Sequence, residues 1–369
     1  MFDYAEWLAN FLEWAERRNV ALDTCGYATD VAGKYQSEML NGEWSKDGAP
    51  KKASTVNARV QQACDFLNWM VSRGFRKSFE VPYESSSLPF EAEPSTARTQ
   101  KRSSRARRGR VRTPVTALNM PSSAAVREWL QRIHDISGPI SYLMCETVVR
   151  TAMRREEVVC LRVDTLPENP ADWHITNPDA PESAQLVRIL IKFGTKGPSY
   201  GRDHGDKIGP EDPILIPLGL AKKWHEYRNG HRLKAFKNWM AGVKGAEARR
   251  KRAADAVHLF LHEADGERFS GKQFYDLWVS VELPCRGWSP HKGRHWWACV
   301  VLWREINKNF SPVSNETPVV LLTATAQSIL KLQIQPQLRH SSTSTTETYI
   351  NWIVQMVGHS VNLEEDTDF

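Results

Sequence analysis

From Pro82 to Pro114 the chain shows neither a 3.6-residue nor a two-residue apolar period and has too few apolar side chains to pack, so the fold must be built in pieces on either side of it. The stretch begins rich in Ser, Pro and Glu and then turns basic. Arg98, Lys101, Arg102, Arg105, Arg107, Arg108, Arg110 and Arg112 stand between Thr96 and Pro114 without an intervening Asp or Glu. It reads as a linker (82–119) between a helical domain (1–81) and a larger domain (120–355), with a tail (356–369) that carries the acidic run Glu364-Glu365-Asp366-Thr367-Asp368. A length of 369 residues with 41% apolar and 25% charged residues is enough for two buried cores.

The N-terminal part reads as helical throughout. Tyr4, Leu8, Phe11, Leu12 and Ala15 recur at three- and four-residue steps, and a second helix is expected after Asp23. In the third, Ser54-Thr55 would cap a run whose Val56, Val60, Ala63, Phe66, Leu67, Met70 and Val71 share one face until Gly74. Beyond the linker, helices are expected at Ser122–Ile136, Ser141–Ala152, Arg155–Val163, Lys222–Trp239, Gly271–Val281 and His291–Ile306, with a loop at Asn307–Pro318. Two β-branched runs, Leu186–Phe193 and Pro213–Pro217, read as strands joined by a Gly-rich connection. The class is therefore mainly α with a small β-sheet (α+β), and there is no internal repeat.

Net charge is +6, mild for the whole chain but concentrated in the basic stretch, which points to a polyanion partner. The six cysteines are scattered, without a Cys-x-x-Cys pair, and are expected to be reduced and mostly buried. No run of about 18 apolar residues occurs, so a cytoplasmic protein without a membrane partner is expected. The acids form no convincing constellation for a metal-dependent nuclease or transposase, zinc-ligand spacing is lacking, and no cofactor is called for.

The chemistry lies in three runs: Thr151-Ala152-Met153-Arg154-Arg155-Glu156-Glu157, Ser289-Pro290-His291-Lys292-Gly293-Arg294-His295, and Leu338-Arg339-His340 followed by Tyr349. Planar guanidinium forks bind phosphate oxygens bidentately and keep their charge, which suits Arg154 and Arg294 to clamp a phosphodiester. Arg294 lies one helical turn after His291, and the imidazoles of His291 and His340 titrate near neutrality, so they can bind a phosphate oxygen or handle a proton.

In order and spacing these runs resemble the signature boxes of the tyrosine recombinase (phage integrase) family. The resemblance implies a core-binding helical domain followed by a catalytic domain, with Arg154, His291, Arg294, His340 and Tyr349 converging on one DNA phosphate. Tyr349, nine residues after His340, would be the nucleophile that forms a 3′-phosphotyrosine. A hairpin lysine would protonate the leaving 5′-oxygen: Lys196, in Phe193-Gly194-Thr195-Lys196-Gly197, is the choice, with Lys192 and Lys207 as competitors. Glu157 matches an acidic position of the first box and would orient an arginine.

Three departures stand out. Arg339 replaces the usual Gly before the histidine, Ala152-Met153 replaces Gly-Leu, and the interval from Arg294 to His340 is longer than usual. The expected function is site-specific recombination of a mobile element, integrase or transposase in type, through a Holliday junction. The partners would be double-stranded DNA, other copies of the chain in a homotetramer, and accessory bending or directionality proteins. Arg105, Arg107, Arg108, Arg110 and Arg112 would bind DNA phosphates. The alternatives are a DNA-binding protein that keeps this fold without activity, or a relative such as a type IB topoisomerase or telomere resolvase.

Overall fold

The computed structural model describes residues 2–85, 105–112, 118–194, 208–310, 319–339, 348–353 and 356. The chain divides into two compact units, Met1–Thr116 and Ala117–Phe369.

In the first unit α1 (Phe2–Arg17) packs on α3 (Ala53–Ser72). Between them in sequence lie a helical stretch with wide i→i+5 turns (Tyr27–Gln36) and its continuation α2 (Ser37–Asn41). The apolar faces meet in a core of Phe11, Trp14, Tyr35, Met39, Val56, Val60 and Leu67. Buried Arg76 closes one end by donating to the carbonyls of Leu22, Cys25 and Ser78.

This unit takes in part of the expected linker. β1 (Tyr83–Ser85) pairs antiparallel with β2 (Arg105–Arg107), Tyr83 opposite Arg107. The residues that follow are fastened to the helices: Tyr27 Oη donates to the Arg108 carbonyl (2.5 Å), Gln36 Nε2 donates to the Gly109 carbonyl (3.0 Å), and Asn57 bonds Val111 in both directions (2.8 and 3.0 Å). Buried Arg107 donates to Tyr27 Oη and to Gln36 Oε1, so its side chain faces the helices while Arg108, Arg110 and Arg112 are exposed.

The second unit starts with α4 (Ser123–Thr151), whose N-cap Ser122 accepts from the Ala125 N–H (3.2 Å). The two helices expected here are both present, run together as α4 but parted where Gly138 leaves helical geometry (φ 82°, ψ 175°) ahead of Pro139. After α5 (Arg155–Val159) come β3 (Leu186–Phe193) and β4 (Ile208–Pro217), an antiparallel pair that sets Val187 opposite Ile216 and Ile189 opposite Ile214. Burial alternates along β3: Val187, Ile189 and Ile191 face the core, and Arg188, Leu190 and Lys192 face out. The single helix expected at Lys222–Trp239 is instead α6 (Leu218–Asn229) and α7 (His231–Ala241), broken at Gly230. Then follow α8 (Ala246–Asp255), α9 (Gly271–Trp278), α10 (Pro290–Asn309), α11 (Val319–Ile329), a wide-turn stretch (Leu330–Ile334) and α12 (Gln335–Leu338). Residues 348–353 are helical again.

Two apolar clusters sandwich α10. One gathers Trp129, Trp278 and Trp288, with Trp129 ring centroids 4.4 and 5.6 Å from the other two, and takes Trp296 from α10. The other takes Ala298, Leu302 and Ile306 against Leu322, Leu330, Ile334, Trp352 and Ile353. Trp288 and Trp296 are thus core residues, out of reach of a nucleic acid. The long interval before His340 is largely helical, since α10 runs to Asn309 and α11 takes up Val319; residues 311–318 of the expected loop lie outside the described residues. Among the described residues no helix is long and apolar enough to cross a membrane.

Candidate active site

Helix ends build the site. α4 stops at Ala152, which caps it in the left-handed region (φ 56°), a conformation that costs a residue with a Cβ about 1–2 kcal/mol. The turn sets Arg154 at the N-cap of α5, where its N–H donates to Glu157 Oε2 (2.7 Å) and its Nη1 to Glu157 Oε1 (2.7 Å). Nearby, Gly194 (φ 72°) ends β3 so close to α5 that a Cβ would lie 2.4 Å from the Glu156 carbonyl oxygen. Gly194 therefore lies against the backbone of Glu156 and Glu157.

Arg294 comes from the first turns of α10. Ser289 caps this helix through the Lys292 N–H (3.2 Å) with Pro290 at its first position. At 3% exposure Arg294 donates from Nη1 to the Ala152 carbonyl and from Nη2 to the Leu338 carbonyl (2.9 Å). The Leu338 and Arg339 carbonyls also take Arg154 Nη2 (3.4 and 3.3 Å). The C-terminal end of α12 thus holds both predicted clamp arginines. Gln337 anchors that end: its amide donates to the Thr151 and Leu215 carbonyls (2.8 Å each) and accepts from the Leu215 N–H (2.9 Å).

Arg339 joins the same carboxylate through an Nη2 bond to Glu157 Oε2. Its side chain is 6% exposed, that of Glu157 is 0% exposed, and Arg339 too lies in the left-handed region (φ 51°). Burial works against the Glu157 charge, but Arg339, Arg154 and the Arg154 N–H outweigh it and hold the carboxyl below its ordinary value. Burial pushes Arg294 down to about 9, still well above neutrality, so it stays a cation.

Tyr349 is 2% exposed in the second apolar cluster, with its hydroxyl 2.7 Å from His295 Nδ1. His295 Nε2 in turn lies 3.1 Å from Nε2 of His291, which is exposed at the start of α10. The four-residue step along one helix face brings the two imidazoles together, rings 4.6 Å apart. One of the proton arrangements that satisfies both contacts runs from Tyr349 O–H to His295 Nδ1 and from His295 Nε2–H to His291 Nε2. Burial raises the Tyr349 pKa above the ordinary phenol value. Partial desolvation, with the Arg294 and Arg154 charges, lowers that of His291.

Four of the predicted residues therefore meet here: Arg154, Arg294, His291 and Tyr349, with Glu157 bonded to Arg154. Lys192 does not join them; it pairs with Glu211 across the hairpin (2.7 Å). Lys196, Lys207 and His340 lie outside the described residues, as does the Arg105 side chain. Sequence reasoning missed His295 as a partner of the tyrosine, although the i, i+4 step from His291 signals it. It also treated Arg339 only as a substitution.

No family model and no curated sequence matches the chain. Among solved structures, it is similar to the XerH site-specific recombinase bound to its palindromic difH substrate in a post-cleavage complex. The identity is 16% and the TM-score 0.52, over 99% of this chain and 79% of that one. It is also similar to the Tn1549 transposon integrase in complex with transposon right end DNA, at 11% identity and a TM-score of 0.48, over 92% and 88% of the two chains. The likeness to XerH establishes architecture: this chain is built on the fold of a site-specific recombinase.

Proposed function

We propose that the chain is a tyrosine-type site-specific DNA recombinase of the integrase or transposase kind. The observation that carries this reading is the meeting of Arg154, Arg294, His291 and Tyr349, from three distant runs, around the end of α12. An inactive DNA-binding protein has no need to hold a buried tyrosine hydroxyl against a histidine pair beside clamp arginines. The XerH structure was solved with cleaved DNA, which fits the same chemistry.

Arg154 and Arg294 would bind the non-bridging oxygens of the scissile phosphate, releasing the carbonyls that hold them now. Tyr349 Oη attacks phosphorus; the bond from phosphorus to the 5′-oxygen breaks, and the 3′-phosphate stays on the tyrosine. His295 accepts the phenolic proton and passes one to His291, which opens to solvent. The leaving 5′-oxygen takes a proton from a lysine: Lys196 in this reading, or else Lys192 or Lys207. His340 would bind a phosphate oxygen. Reversal with a different 5′-hydroxyl joins the new strand, and four protomers acting in turn would pass through a Holliday junction, with accessory DNA-bending or directionality proteins setting the outcome. The exposed Arg108, Arg110 and Arg112 would follow the phosphates, making binding weaker as salt rises. No cofactor enters this scheme, and the protein would work in the cytoplasm on the nucleoid.

The test is incubation of the full chain with nicked suicide duplexes taken from DNA flanking its own gene, in EDTA and without ATP. A covalent adduct on a denaturing gel, lost in Tyr349→Phe while the DNA shift persists, is the expected result. Shifted DNA without an adduct on any duplex would return the inactive DNA-binding reading.

A further inference from the structure

The site holds more positive charge than it neutralises. Arg154, Arg294 and Arg339 surround Glu157, three cations against one carboxylate, in a place where Arg294, Arg339 and Glu157 are all buried. Arg154 Nη2 and both terminal nitrogens of Arg294 donate to carbonyls. Arg339 does not: with Nη2 on Glu157, its Nε and Nη1 are buried and have no hydrogen-bond partner. These two nitrogens point to different sides of the guanidinium, so each is a separate charged donor left without an acceptor. The residue also holds a left-handed backbone that glycine would adopt without strain, so the side chain is kept at a cost.

Screening of Glu157 does not explain the arrangement, because Arg154 already donates to both carboxylate oxygens. A third guanidinium with two buried, unpartnered donors, beside two arginines suited to phosphate, lacks an anion. A tetrahedral phosphate from a nucleic acid backbone supplies a negative charge and oxygens spaced to meet several guanidiniums. We infer that Arg339 is a third phosphate-binding arginine, whose unpartnered Nη1 donates to a non-bridging oxygen of the scissile phosphodiester while Nη2 remains on Glu157. The inference rests on the recombinase reading and adds a residue to its machinery.

The experiment compares single-turnover formation of the covalent adduct on suicide duplexes carrying a normal scissile phosphate or either diastereomer of a methylphosphonate, in which a methyl replaces one non-bridging oxygen. Arg339→Gly relieves the backbone and should slow cleavage of the normal phosphate about 100-fold, the usual effect of losing one donor to a developing oxyanion. On the diastereomer whose methyl replaces the oxygen facing Arg339, wild type and variant should react at similar rates. On the other, the gap should persist. Arg339→Lys should fall between, and Arg339→Gly/Glu157→Gln should stay slow on normal phosphate. Because each variant is compared with itself across three substrates, a general loss of fold cannot imitate the diastereomer preference. Equal slowing on all three substrates, recovery in the double variant, or wild-type cleavage by Arg339→Gly would each overturn the inference while leaving the recombinase reading intact. Absence of an adduct with the wild-type chain would remove both.

Discussion

Glu157→Gln tests the electrostatic frame of the site. The substitution keeps the shape of the side chain, so no cavity forms, but removes the buried carboxylate that Arg154 and Arg339 share. Taking one partner from a buried ion pair costs about 3–5 kcal/mol, because the remaining charge stays buried without compensation. The amide oxygen can still accept one bond, so the lower end, about 3 kcal/mol, is expected. For a unit the size of Ala117–Phe369, about 2–4 °C of melting temperature is lost per kcal/mol, or roughly 6–12 °C in all. The sign of the pH dependence follows from the carboxyl being held below its ordinary value in the folded chain. Its contribution is complete above the unfolded value of about 4.3 and is lost as pH falls through the lower folded value. The gap between wild type and variant should therefore be constant from pH 6 to 8 and narrow as pH falls below the unfolded value and through the lower folded one. Thermal melts followed by near-ultraviolet circular dichroism, which reads the packed Trp129, Trp278 and Trp288, report on this unit. In 1 M salt the gap should survive, since a buried pair is screened little even where the Debye length is about 3 Å. A loss of less than about 1 °C at pH 7, or a gap abolished by salt, would refute a buried charge frame around Glu157.

Three further perturbations bear on separate parts of the structure. His295→Gln should slow adduct formation by roughly 10²–10⁴-fold near neutrality, with a rate that climbs steadily with pH because burial raises the Tyr349 pKa and hydroxide must take the phenolic proton; a profile parallel to wild type would remove His295 as base. Ala152→Gly should raise the melting temperature of the second unit by a few degrees, since glycine relieves about 1 kcal/mol of left-handed strain while leaving the carbonyl that Arg294 uses; no gain would mean that the φ of 56° carries no strain. Arg107→Ala should destabilise the first unit by about 2 kcal/mol by unpairing Tyr27 and Gln36. Arg110→Ala should leave its melting unchanged and reduce the salt slope of DNA binding by about 1; the reverse pattern in these two variants would contradict the burial of Arg107.

The parts of the site visible in the sequence were those fixed by local chemistry. Ser289-Pro290 announces the start of α10, so the turn that carries His291 and Arg294 could be read directly, and the α5 start at Arg155 followed from the turn before it. What could not be read depends on contacts between distant residues. Arg107 looks like its exposed neighbours in sequence and differs only because Tyr27 and Gln36, some seventy to eighty positions away, accept its donors. Val111 likewise belongs to the first unit through Asn57, which carries no periodic signal. Gly138-Pro139 and Gly230 are equally good breakers on paper. Gly138-Pro139 parts two helices at an expected break, while Gly230 divides an expected single helix.

The charge balance of the site bears on rate as well as binding. Arg154 and Arg294 against Glu157 leave one net positive charge, which matches a phosphodiester in its ground state. Arg339 raises the excess to two, before the histidines and a lysine are considered. In the proposed reaction Tyr349 would attack as a phenolate, and the five-coordinate phosphorus group would carry close to two negative charges. The third arginine therefore complements the transition state more than the substrate, which is the condition for a group to raise the rate of the chemical step. The frame is also set before DNA arrives: Gln337 fixes the end of α12, α12 carbonyls hold Arg154 and Arg294, and Glu157 holds Arg339, so little reorganisation remains for the moment of reaction. Carbonyls suit this task better than further carboxylates. They orient the guanidiniums without cancelling their charge, and a phosphate oxygen can displace them at the cost of a hydrogen bond to an uncharged acceptor rather than an ion pair.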